Sequence, residues 1–146
     1  MATRGSRQTS SLRRRAPFRT QKRRILIVCE GEVTERRYFE DLKQRTRNVP
    51  VVVVVAPETG DPLTVVRVAV RRKREADRSA HAEGSDYLRY DAAWGVVDVD
   101  EHARLPQARQ LAAENGVDLA VSNPCFELWA LLHYQEQAAH IEGRRV

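Results

Sequence analysis

The chain has 146 residues, 42% of them hydrophobic, and a formal net charge of +5. That length suffices for one domain with a real core, and the composition excludes collagen-like and disulfide-scaffold classes. The longest apolar run, residues 49–57, is far short of the roughly 20 residues that a membrane-spanning helix needs.

The charge is unevenly placed. Residues 1–29 hold nine Lys or Arg and no acid, whereas the other 117 hold 16 basic and 20 acidic groups. The arginine-rich start has no apolar stretch behind it, which argues against a secretory signal. Residues 1–22 are expected to be a disordered basic arm suited to a polyanion, with Arg23 and Arg24 at its end; a merely solvated tail is the plain alternative. Residues 23–146 read as one folded domain.

Arg24–Cys29 is a continuous β-branched run, the mark of a strand covered on both faces. After Gly31 a helix begins, with Thr34 as its expected N-cap and Tyr38, Phe39 and Leu42 as its apolar stripe. Val51–Ala56 is a second buried strand. Asp61-Pro62 opens a helix to about Asp77, with Pro at its favoured first position. Leu63, Val66 and Val70 form its apolar face, and Arg67, Arg71, Arg72, Lys73, Arg74 and Arg78 crowd the rest. Ala92–Val99 is the third strand. A helix from about Pro106 to Glu114 stops at Asn115-Gly116. Val117–Val121 is the fourth strand, and Asn123-Pro124 starts a helix through Tyr134. This alternation predicts an α/β fold with a mostly parallel four-stranded sheet, whose ligands sit at the carboxyl ends of the strands.

Carboxylates concentrate at those ends. Glu30-Gly31-Glu32 follows the first strand, with Glu35 in the next helix, and Asp98 and Asp100 close the third. Two such acids on one face repel each other and need a cation, a basic partner or hydration. If the first and third strands are neighbours, Glu30 faces the Asp pair, and hard oxygen ligands there suit Mg²⁺ or Mn²⁺. Singly, each acid has an ordinary explanation, such as Glu35 favouring a helix N-terminus. Glu127, on a helix apolar nearly all round, needs a partner: a metal, an Arg in a structural ion pair, or backbone N–H groups. His102 suits a general acid or base, or an exposed loop. His133 reads as a satisfied core histidine. Cys29 and Cys125 read as reduced core residues, as in a cytoplasmic protein; a zinc site built from them with His102 and His133 lacks the usual ligand spacing. The helix arginines Arg67, Arg71, Arg72 and Arg74 suit a polyanion or a solvated face.

The blocks ILIVCEGEVTERRYFEDL, WGVVDVDEH and VSNPCFELWALLHY resemble the RloB-like family of bacterial abortive-infection and restriction loci. The resemblance spans roughly residues 22–135. It implies a TOPRIM-like domain in which Glu30 is catalytic or metal-linked and Asp98 and Asp100 bind metal. Glu35, or its competitor Glu32, matches a further acid of related nucleases. Chains of this family usually continue beyond the NPCFELW helix, so the domain is expected to be short at its C-terminal end. The resemblance implies a Mg²⁺- or Mn²⁺-dependent nuclease acting on RNA, including tRNA, or DNA in phage defence, alongside partner defence proteins such as an ATPase. A non-catalytic nucleic-acid-binding or regulatory subunit and a nucleotide sensor are the other readings.

Overall fold

The computed structural model describes residues 22–47, 51–55, 58, 60–99, 104–134 and 136. All of the expected arm except Lys22 lies outside them. Among the described residues, β1 (Arg23–Cys29), β2 (Val51–Val55), β3 (Ala92–Asp98) and β4 (Asp118–Ser122) form one sheet in the order β2-β1-β3-β4. Every pairing is parallel. Helices α1 (Thr34–Arg45), α2 (Pro62–Glu83), α3 (Leu105–Asn115) and α4 (Phe126–Leu131) complete the fold, with a 3₁₀ turn at Asp86–Leu88. No helix among these residues is long and apolar enough to cross a membrane.

The β-branched runs are explained by cover on both faces. Successive strand side chains point to opposite sides. Leu26, Val28, Ala93 and Val97 meet Val65, Val66 and Ala69 of α2 and Ala108 and Ala112 of α3. Ile27, Cys29 and Val96 point the other way, to Tyr38 and Phe39 of α1 and Phe126 of α4. Gly95 permits the close approach of α2: a Cβ there would come within 2.9 Å of Leu119 and 3.1 Å of Val65.

Asp61 caps α2, its Oδ1 accepting from the Leu63 and Thr64 amides, and Pro62 takes the first position as expected. Several boundaries differ from the sequence expectation: α4 ends at Leu131, not Tyr134, and β3 and β4 are shifted by one residue at their ends. α2 continues past Asp77 to Glu83, because residues 78–83 contain no helix breaker and Gly84 supplies the left-handed stop. Thr34 is the first helical residue of α1, not its cap; Val33 holds the cap position without a side-chain bond. Helix α4 starts at Phe126 with Cys125 at the cap position, so the expected Asn123 cap and Pro124 first position are not formed.

Candidate metal centre

Because β1 and β3 are neighbours, their carboxyl ends share one edge. Glu30 extends that pairing by one residue, its amide donating to the Val96 carbonyl at 2.9 Å. The Glu30 carboxylate turns toward β3, where Oε2 accepts the Asp98 amide at 3.0 Å. Asp98 ends β3 and lies on the α1/α4 side of the sheet. Its Oδ1 accepts from the Phe126 amide at 3.0 Å, which ties the start of α4 to the site.

Glu35, in the first turn of α1, is 4% exposed and is the one buried charged side chain among the described residues. It fits because residue 31 has no side chain. A Cβ on Gly31 would overlap Glu35 Oε2 and stand 2.5 Å from its Cδ. The glycine between the two glutamates of the EGE run is therefore the seat of a third.

Burial pushes the Asp98 carboxyl up to about 7. The negative charges of Glu35, Glu30 and Glu127 add to the push, and the Phe126 N–H opposes it. Glu127, half-buried in the first turn of α4, thus acts on the same carboxyl. Among the described residues no ion pair includes Glu35, Asp98 or Glu127. Like charge crowded at a half-buried carboxyl is relieved by a proton, by water or by a cation, and carboxylate oxygens suit a hard divalent ion. Among the described residues no three His, Cys, Asp or Glu side chains form a ready metal cluster as they stand. Asp100 and His102 lie outside those residues. Glu32 is exposed.

Of the alternative ligands, the two thiols border this edge as buried groups. Burial, reinforced by Glu35, pushes the Cys29 thiol up to about 12, and burial also raises Cys125, so both are protonated core thiols. His133 is exposed rather than in the core, with Nδ1 3.0 Å from the Trp129 carbonyl and its ring against Trp129.

The basic residues separate into two kinds. Arg72 donates Nε and Nη2 to Glu58 at 2.9 and 2.6 Å, and Arg71 reaches the other Glu58 oxygen at 2.7 Å. Burial alone would raise the Glu58 carboxyl, but the Arg72 hydrogen bonds and both guanidinium charges hold it below its usual range. No local sequence pattern links Glu58 to residues 13 and 14 positions later. Arg24 is also committed, donating to the Tyr87 and Leu88 carbonyls and lying over the Tyr90 ring. Arg23 is exposed beside it, at the amino end of β1 and away from the carboxylates. Arg67 and Arg74 are exposed on α2.

The chain matches the family model described as RloB-like protein over residues 25–146. No curated protein and no solved structure matches it.

Proposed function

The chain belongs to the RloB-like protein family, and from that premise we propose that it is a divalent-metal-dependent nuclease with a TOPRIM-like domain, acting in antiphage defence. The observation that carries the reading is the meeting of Glu30, Glu35 and Asp98, from three separate elements, at one carboxyl edge, where burial and like charge push Asp98 up to about 7. In parallel α/β sheets this edge is where ligands bind.

Asp98, Glu30 and Glu35 would hold Mg²⁺ or Mn²⁺, together with Asp100. The ion supplies Lewis-acid stabilisation of a phosphoryl oxygen and a more acidic water. The chain's own residues do the rest. The Phe126 N–H fixes one Asp98 oxygen, which orients the carboxyl at the edge. Glu30 is held against the β3 backbone by the Asp98 amide, which orients its carboxylate. Glu30 or His102 would accept the proton of the attacking water. The substrate is RNA or DNA, since both carry the phosphodiester that this chemistry needs.

The exposed arginines of α2 favour a second reading, a non-catalytic nucleic-acid-binding subunit. A cleavage assay on RNA and DNA pools, with Mn²⁺ or EDTA, separates the two. The nuclease reading expects metal-dependent cleavage that falls by more than about 100-fold in D98N/D100N, as loss of metal-site groups does. Salt-sensitive binding without cleavage, unchanged in that variant, would establish the second reading instead.

A further inference from the structure

Arg67, Arg71, Arg74 and Arg78 stand at i, i+4, i+7 and i+11 of α2, the spacing that sets side chains along one helix face. With Val70, Leu111 and Asn115 they line a groove of about 450 Å³ between α2 and α3. All four arginines are exposed. At 1.5 Å per residue the row is roughly 16 Å long, or about five steps of one duplex strand at roughly 3.4 Å each.

The charge in this row is largely uncommitted. Among the described residues no ion pair includes Arg67, Arg74 or Arg78. Arg71 is shared between Glu58 and Glu75 and contributes less. Arg74 is aimed: its Nη2 donates to Asn115 Oδ1 at 2.7 Å, and the Asn115 Nδ2 in turn donates to the Leu111 carbonyl at 2.8 Å. Lys73 donates to the Asn115 and Gly116 carbonyls, where it offsets the negative end of α3.

We propose that this groove is a binding site for the phosphate backbone of a nucleic acid. Arginine forks match phosphate oxygens. The floor, Val70 and Leu111, has no side-chain hydrogen-bonding group with which to read a base, so the contact is one of positioning, not of sequence. A straight row suits a linear polyanion rather than a flat anionic membrane. The groove lies on the α2/α3 face, across the sheet from Asp98, and its ligand is held independently of any metal. It shares with the proposed nuclease only the kind of ligand.

The test is fluorescence anisotropy in EDTA across a salt series, with a short labelled duplex and the matching single strand. R67Q/R74Q/R78Q, shown to be folded by its melting curve, is expected to flatten the slope of log K against log salt. The change is about 0.9 per arginine on duplex DNA and about 0.7 on a single strand. A charge-matched variant on α1, R37Q/K43Q/R45Q, is expected to change it less. An equal change from the α1 variant, no change from the α2 variant, or tighter binding to polyglutamate or anionic vesicles than to nucleic acid overturns the inference. A slope change without any cleavage leaves the groove standing and removes only the nuclease. Cleavage with an unaltered slope does the reverse.

Discussion

At the scale of single residues, the account rests on how Gly31 and Asp98 accommodate charge. Gly31 leaves the space into which the Glu35 carboxylate is folded. Alanine there must displace a buried acid, so Gly31→Ala is expected to cost about 1–3 kcal/mol in urea denaturation. The cost should shrink when Glu35 is also alanine, a coupling that a double-mutant cycle measures. Asp98 makes a separate prediction. The native state holds its proton to about pH 7, whereas the unfolded chain releases it near the ordinary 3.8. Between those values the native state binds more protons, so the stability of the metal-free protein falls as pH rises through this window. Asp98→Asn keeps an acceptor for the Phe126 amide and removes the charge. The metal-free variant should therefore outmelt the wild type by several degrees near about pH 8, and the gap should close toward about pH 4. An equal gap at both ends would contradict the assigned cause. The acids themselves were legible in the sequence as strand-end residues. The seat at Gly31 was not, because it depends on how α1 folds back over the loop.

At the scale of elements, strands were read more accurately than helix ends. β1 and β2 are continuous apolar runs because both faces of the sheet are covered, and that leaves a one-dimensional signal. The start of α4 departs from the local signal: Asn123-Pro124 carries a capping pattern, whereas the helix begins where the Phe126 amide meets Asp98, a residue 28 positions away. For α2 the local signal and the structure agree. Asp61 accepts from two backbone amides and from the Thr64 hydroxyl at 2.8 Å. The Thr64 bond leads the causes that hold its carboxyl below the usual range. Asp61→Ala is expected to lower stability by about 1 kcal/mol at neutral pH. Because the folded pKa is depressed, that contribution is present above the ordinary pKa and lost as pH falls through the folded one. Melting curves of both proteins should therefore converge in acid. The same helix shows that a basic face is not all available charge: Arg72 is tied to Glu58, whereas Arg67, Arg74 and Arg78 are in no ion pair among the described residues.

At the scale of the whole molecule, strand order decides whether there is a centre at all. Nothing local in a parallel strand names its neighbour, so the sequence supports the meeting of Glu30 with Asp98 only on condition that β1 and β3 are adjacent. The order β2-β1-β3-β4 meets that condition. Acids gather at the carboxyl edge, and Arg67, Arg74 and Arg78, in no ion pair among the described residues, lie on the α2/α3 face. A Mn²⁺ titration of the metal-stripped protein by isothermal calorimetry probes the acidic edge without requiring a substrate. The account predicts saturable binding that weakens at least about tenfold, or roughly 1.4 kcal/mol, in both Glu30→Gln and Asp98→Asn. Absence of saturable binding, or equal affinity in the wild type and both variants, would contradict it.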